Sequence, residues 1–229
     1  MQCIQFQLVN VNETMRLERE DGSLIEPKAS MMYLGTTLAA DGMVGSELNR
    51  RLGRAWAEFC KLKQFWKHIS ISLARKVEVF NAVVASVLLY SLSTVWLSAR
   101  QRSQLDGLQA RCLRCILKIP PAFLSRVPNK TVLGKSAQEQ FSLQLLRQQL
   151  LLFGRVARAP DDDCRRRLTF CPGSLQPATS RYVRRVGRPR AEWAPKLMET
   201  AIQAWSSADQ VSRLIQDETT WRWAVLAKF

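Results

Sequence analysis

The chain has 229 residues, 47% of them hydrophobic and seven of them Trp, and this composition excludes an intrinsically disordered protein. It carries 34 Lys and Arg against 19 Asp and Glu, a formal net charge of +15. Such an excess predicts attraction to a polyanion, either nucleic acid or an acidic membrane, with a merely basic soluble protein as the alternative. The charge is concentrated: residues 150–190 hold ten Arg and three Asp, whereas residues 1–30 and 191–229 are slightly acidic.

The first residues of the chain and the spacing of its cysteines bear on the cellular compartment of the protein. No basic segment followed by an apolar run is visible after Met1, as a secretory signal would require. Six Cys at irregular spacing indicate free thiols in a reducing environment. We therefore expect an intracellular protein of the nucleus or the cytoplasm.

One segment imitates a membrane span. Residues 79–99 contain no charged side chain, and this length is about what a bilayer requires. The segment nevertheless includes Asn81 and several Ser, and basic residues flank both of its ends. We predict a buried central helix and no membrane contact.

Residues 3–38 favour β structure. Cys3–Val9, Met15–Leu17 and Tyr33–Leu38 are short runs of strand-forming residues separated by turn signals. They predict a hairpin or the edge of a sheet, which is marginal alone and must pack on other elements.

Helical spacing begins after Gly45. Apolar residues from Leu48 to Trp66 define a first helix, with Ser46 as its predicted cap. Its opposite face carries bases, and Arg50, Arg54 and Lys61 are candidate nucleic-acid contacts, although such a face is usually only solvated. Three more helices are predicted at Ser72 to about Val95, Gln101–Leu117 and Gln138–Arg158.

Residues 159–189 read as a basic linker or arm with little apolar periodicity. Gly187 and Pro189 favour an extended backbone, and the splayed guanidinium groups around them fit a narrow minor groove or paired phosphates. The alternative is that the arm docks on the protein's own acidic helices. The candidate contacts of this arginine arm are Arg181, Arg184, Arg185, Arg188 and Arg190.

No catalytic or metal site is predicted. Asp161–Asp163 is followed by three Arg and is typical of a solvated turn or a helix start, not of Mg²⁺ ligands. Cys112 and Cys115 have the gap of a zinc pair but fall inside a predicted helix, where buried thiols are ordinary. His68, the lone His, has no nucleophile or carboxylate near it in sequence.

Several motifs together resemble the reverse transcriptases of LINE-type, non-LTR retrotransposons. The matching residues run in order from Tyr33 to Trp193, about 70% of the chain. They are Tyr33-Leu34-Gly35 with Asp41-Gly42 and Arg50-Arg51, Tyr90 with Trp96, Cys112-Leu113-Arg114 with Ile116-Leu117, Phe153-Gly154 with Val156 and Arg158, and Gly187-Arg188-Pro189-Arg190 with Trp193.

The resemblance implies a polymerase thumb that grips the template–primer duplex, with Tyr33, Leu34 and Gly35 at the primer-grip turn. It divides the chain into a palm-edge β remnant (1–42), a helical thumb-like bundle (43–158), the basic arm (159–189) and Trp-rich C-terminal helices (190–229). The family's catalytic aspartates precede this turn, and no Asp-Asp pair occurs before it here. We therefore expect a mainly α chain without polymerase activity or a cofactor of its own, Mg²⁺ belonging to the intact parent enzyme.

The expected partners are RNA and DNA, and an intact reverse transcriptase palm supplied in trans is a further candidate. No small-molecule substrate and no membrane partner are expected. The competing hypothesis is a helical protein–protein adaptor that docks through the Trp-rich end, from Trp193 to Trp223.

Overall fold

The N-terminal part of the fold is a β-hairpin. The computed structural model describes residues 22, 28–40, 42, 44–178 and 192–229. Strands β1 (Ser30–Tyr33) and β2 (Thr36–Ala39) pair antiparallel, with Tyr33 opposite Thr36. Leu34 and Gly35 both have positive φ, 47° and 74°, as a two-residue type I′ turn requires. The small antiparallel sheet predicted from sequence is confirmed. The predicted strand run Tyr33–Leu38 was wrong, because the turn at Leu34 and Gly35 divides it between β1 and β2. The predicted strands at 3–9 and 15–17 lie outside the described residues.

The rest of the described chain is helical, which confirms the mainly α class. The first group of helices comprises α1 (Gly45–Lys61), α2 (Lys63–Lys67), α3 (Leu73–Val79), a π-helical turn (Phe80–Ala85), α4 (Ser86–Leu89) and a 3₁₀ turn (Leu92–Thr94). The middle group comprises α5 (Ala99–Ile116), α6 (Ala122–Ser125), α7 (Asn129–Lys135) and α8 (Phe141–Ala157). The last group comprises α9 (Cys164–Thr169), α10 (Trp193–Trp205), α11 (Ala208–Gln216) and α12 (Glu218–Lys228).

A first apolar core joins α1, the α3–α4 segment, α5 and the start of α8. Phe80 is at its centre, stacked on Phe141 at 5.7 Å between ring centroids and fully buried. The uncharged segment therefore packs into this core through one face, and the opposite face, with Asn81 and Ser86, is exposed, so the prediction of a fully buried helix was only partly right. No helix within the described residues is long and apolar enough to cross a membrane.

Two predicted helix boundaries were wrong. The helix from Ser72, which caps Arg75 N–H as expected, ends at Leu89 and not near Val95, because Ser91 takes a left-handed φ of 60° and breaks the hydrogen-bond ladder. Ser46 is not a cap, because the carbonyl of Val44 already accepts from Leu48 N–H and places Ser46 inside the first turn of α1.

A second core joins the C-terminal half of α8 to α9–α12. The predicted C-terminal helices are present, and they pack on α8 through Leu150 and Phe153. The segment predicted as a basic linker from residue 159 instead contains α9, whose C-terminal neighbour Phe170 is 1% exposed. The sequence pattern did not predict that this segment contributes to the apolar core, because a single buried aromatic residue produces no periodicity.

A helical glycine fixes how α12 meets α8. The indole of Trp221 lies directly over Gly154, where an added Cβ would stand 2.3 Å from Nε1. The same Nε1 donates to the carbonyl of Leu150 at 2.9 Å. The second core therefore requires the absence of a side chain at position 154.

We expect Gly154→Ala to lower the free energy of unfolding by about 1–3 kcal/mol, since the methyl group overpacks a dense interior. The matched control is Gly53→Ala in α1, where an added Cβ meets nothing within 4 Å. That change should be neutral or stabilising by about 0.5–1 kcal/mol. Urea unfolding of both variants measures the contrast, and equal effects would contradict it.

Candidate nucleic-acid interface

The hairpin turn is held from behind by side chains of α1 and by Tyr90, which follows α4. Arg50 and Arg51 each donate from Nη2 to the carbonyl of Gly35, both at 2.6 Å. The hydroxyl of Tyr90 donates to the carbonyl of Leu34 at 3.0 Å. Both carbonyls of the turn are therefore fixed by side chains from the helical body. We call these contacts, together with Glu47, the turn brace.

A buried carboxylate organises the turn brace. Glu47 is 4% exposed and accepts from Arg50 Nη2 at 2.7 Å, Arg51 Nε at 2.6 Å and Thr37 N–H at 2.8 Å. Burial alone would raise the pKa of Glu47, but the hydrogen bonds from Thr37, Arg50 and Arg51 outweigh it and hold the pKa below its ordinary value. Glu47 is thus ionised at neutral pH and links β2 to α1.

The fixed backbone leaves the side chains of the tip in solvent. Met32, Tyr33 and Leu34 are all exposed, Leu34 at 75%. Met32 and Tyr33 are consecutive residues of β1 and so belong to opposite faces of the hairpin, and the braced tip therefore exposes apolar or aromatic side chains on both faces. The sequence-predicted residues Tyr33, Leu34 and Gly35 are therefore brought together at one tip.

The predicted basic face of α1 is only partly available. Arg50 is occupied by Glu47 and the Gly35 carbonyl, so it acts in the turn brace and does not offer a free cation. Lys61 forms an exposed ion pair with Glu58 at 2.8 Å. Arg54 is exposed and has no ion-pair partner among the described residues. Of the three candidates, Arg54 alone keeps the character assigned from sequence.

The arginine arm lies outside the described residues, but the described residues next to it are hydrogen-bonded to the rest of the protein, one at the end of α9 and one at the turn after α4. On one side Ala178 N–H donates to the carbonyl of Thr169 at 2.9 Å. On the other side Trp193 Nε1 donates to the carbonyl of Ser93 at 2.8 Å. The five Arg of the arm are thus carried between two fixed points.

A groove opens beside the turn brace and shares Tyr90 with it. Its volume is about 750 Å³, and its lining is mainly amide and hydroxyl side chains with one acid, Glu139. Such groups can accept from and donate to sugar hydroxyls and base edges without contributing charge. Among the lining residues are Asn81, Ser86, Ser93, Gln144 and Gln148.

The acidic cluster has structural roles. Asp163 caps α9 by accepting from Arg165 N–H at 2.8 Å, and its hydrogen bonds with Arg165 lower its pKa to about 2. Asp161 pairs with Arg166 at 2.6 Å. The interpretation of this cluster as a helix start is confirmed.

Cys112 is buried within α5, and burial raises the pKa of its thiol, so it has the environment of a core residue. His68 has its Nδ1 2.8 Å from the hydroxyl of Ser70, and its carbonyl accepts from Lys76. No cluster of three His, Cys, Asp or Glu residues suited to a metal ion occurs within the described ranges.

The Trp-rich end is mostly turned inward. Trp221 is 1% exposed, Trp205 packs on it at 5.1 Å between ring centroids, and Trp193 packs on Phe153. Trp223 is 73% exposed. The surface available to the adaptor hypothesis at this end therefore centres on a single indole.

Comparisons with protein-family models, with curated proteins and with solved structures found no match.

Sequence reasoning missed Glu47, the residue on which the turn brace depends. Its signal was present, because Glu47 precedes Arg50 and Arg51 by three and four positions, the spacing at which helical side chains meet. The carbonyl partners at the hairpin turn could not be found from sequence, since fifteen residues separate Gly35 from Arg50.

We expect Glu47→Gln to cost roughly 3–5 kcal/mol at neutral pH, because it leaves the buried Arg51 without a counter-charge. The matched control is Glu58→Gln on the same helix, whose exposed ion pair contributes about 0–1 kcal/mol. Urea unfolding at several pH values is the measurement.

The pH dependence has a definite sign. Since the folded pKa of Glu47 is lowered, its contribution to stability is complete above its ordinary pKa of 4.5 and is lost as the pH falls through the folded value. The difference between wild type and Glu47→Gln should therefore shrink in acid. A difference independent of pH would count against an ionised Glu47.

Proposed function

We propose that this chain binds RNA or DNA through backbone phosphates, as the thumb-like part of a LINE-type reverse transcriptase without its catalytic aspartates. The observation that carries the proposal is the braced turn, whose carbonyls are fixed while Met32, Tyr33 and Leu34 face solvent. The resemblance assigns this same turn to the primer terminus. A rigid turn with exposed apolar side chains is suited to holding the terminal nucleotide of a primer through contacts with its sugar and base.

The positions that carry the resemblance coincide with specific contacts. Arg51 and Tyr90 hold the turn, Gly154 admits Trp221, and Trp193 ties α10 to the segment after α4. Each contact needs its own residue type at its own position. This supports the view that the motif spacing reflects a common fold and is not a chance pattern.

Charge and the groove supply the remaining support. Five Arg within ten residues of the arm provide a cationic segment whose flanks are fixed on the body. The groove beside Tyr90, lined mainly by amide and hydroxyl groups with the carboxylate of Glu139, offers hydrogen bonds to sugar hydroxyls, which do not depend on base identity. Contacts between the cations of the arm and backbone phosphates give affinity and register with little sequence preference.

We expect affinity for a duplex of any sequence to fall steeply with salt, and removal of three arm charges to flatten that dependence. Each lost phosphate contact changes the slope of log affinity against log salt by roughly 0.9 on duplex DNA. The variant is Arg184→Ala, Arg185→Ala and Arg188→Ala combined, measured by fluorescence anisotropy across salt concentrations. A wild-type affinity that is unaffected by salt would overturn the proposal.

A matched control removes three cations that already have partners. Arg75, Arg165 and Lys196 form exposed ion pairs with Glu78, Asp163 and Glu199. Their combined replacement by Ala lowers the net charge equally, yet it should change the slope less than the arm variant does. Equal slopes in the two variants would assign the binding to net charge alone and not to the arm.

We expect no nucleotide incorporation when the chain is incubated with a primed template and Mg²⁺. Two-metal nucleotidyl transfer needs converging carboxylates, and the described residues hold no such cluster. Primer extension against a known polymerase as positive control is the measurement. Extension that persists through purification would contradict this part of the proposal.

A further inference from the structure

A second basic surface lies far from the hairpin in sequence. Between Asp106 and Glu139 the chain has no acidic residue and six basic ones. Lys118, Arg126 and Lys130 are exposed and form no ion pair with other described residues. These three cations surround the single-turn helix α6, and we call residues 118–130 the basic loop.

A buried arginine fixes the shape of the basic loop. Arg114 is 6% exposed, and its guanidinium donates to the carbonyl of Pro120 at 3.1 Å, to Asn129 Oδ1 at 3.0 Å and to the carbonyl of Val127. It also reaches the hydroxyl of Ser125 at 3.2 Å. One side chain thus ties together points before and after α6, so the loop is held in one conformation.

The loop presents its two largest apolar side chains to solvent. Phe123 is 81% exposed and Leu124 is 66% exposed, both on α6. A helix of one turn has no apolar face to bury, and Arg114 satisfies the polar groups on the protein side. The rigid loop therefore exposes an aromatic ring within a short segment that has exposed cations before and after it in sequence.

Two of these cations hold unfavourable backbone conformations. Lys118 and Arg126 have φ of 57° and 53°, the left-handed region that favours glycine. Lys118 terminates α5 where a glycine is usual, with Ile119 N–H donating to the carbonyl of Arg114 at 2.9 Å. Arg126 likewise ends α6, so both left-handed residues close helices, and their strain is a structural cost of these helix ends.

We propose that the basic loop is a second nucleic-acid contact, at which Phe123 stacks on an unpaired base while Lys118, Arg126 and Lys130 hold the adjoining phosphates. The inference rests on the proposed function and adds a preference for single-stranded segments. An aromatic ring flanked by cations is the combination by which proteins bind single strands without reading sequence.

Charge complementarity favours a single strand over a membrane as the occupant. Membrane-surface helices bury an extended apolar face, whereas α6 offers two apolar side chains on four residues. Three exposed cations within thirteen residues attract phosphates, and the exposed ring provides a face on which a base can stack.

The test compares a 20-nucleotide single strand, the same strand with abasic sites and the corresponding blunt duplex, in anisotropy titrations. We expect Phe123→Ala to weaken binding of the intact single strand roughly 5- to 100-fold, the range for one lost base–aromatic stack. Binding of the abasic strand and the duplex should be unchanged, and Phe123→Trp should retain the wild-type preference for intact bases. Phosphatidylserine vesicles are titrated in parallel.

The outcomes separate this inference from the proposed function. If wild type binds the duplex and both single strands equally, and Phe123→Ala changes nothing, the stacking site is absent while the proposed function stands. If wild type binds none of the three, the proposed function itself fails. Vesicle binding that Phe123→Ala abolishes, with single-strand binding intact, would overturn the assignment in favour of a membrane.

A second pair of variants separates binding from folding. Lys118→Gly relieves the left-handed strain and removes a cation, so we expect unchanged or higher stability in urea with weaker single-strand binding. Ser206→Gly relieves the same strain at the end of α10, where φ is 69°, without loss of charge and away from the groove beside Tyr90. It should leave binding unchanged, and equal binding by the two variants would exclude a role for Lys118.

Discussion

The burial of Glu47 constrains the whole hairpin end of the molecule. A buried carboxylate is tolerable only with full compensation, and here two guanidinium groups and the Thr37 amide provide it. Arg51 is equally dependent, since at 3% exposure it has no water to replace its partners. Each guanidinium group then has a donor left for the Gly35 carbonyl. The position of the tip follows from this charge balance and not from sheet pairing, because two four-residue strands contribute little alone.

Helix α8 connects that end of the molecule to the second core. Its N-terminal part, with Phe141 and Leu145, belongs to the first core, and its C-terminal part, with Phe153, belongs to the second. A single continuous helix therefore belongs to both cores, and no linker separates them. Trp193, at the start of α10, packs in the second core and donates to the Ser93 carbonyl near the first, which is a further link between the two cores.

The sequence predicted the periodic features of this fold and little of its irregular ones. Helix α5 and the buried segment around Phe80 were predicted because regular apolar spacing repeats over many residues. The break at Ser91 was not, since a left-handed serine has no distinctive sequence pattern. Phe170 was missed for a related reason: a single buried residue with distant partners leaves no periodic signal. Glu47 differs, because its spacing to Arg50 and Arg51 carried a helical signal, while its contact with the Thr37 amide carried none. At the candidate site, the family resemblance pointed to the turn. The contacts of the turn brace become visible only in the three-dimensional structure.

The cations of this protein also show why net charge overstates the surface available to a polyanion. Arg51 and Arg114 are buried and serve backbone carbonyls, and Lys76 donates to the His68 carbonyl from a buried position. Such side chains count toward +15 but offer little to a phosphate. The cations that remain exposed without partners, such as Arg54, Lys118 and Lys130, are more informative about binding.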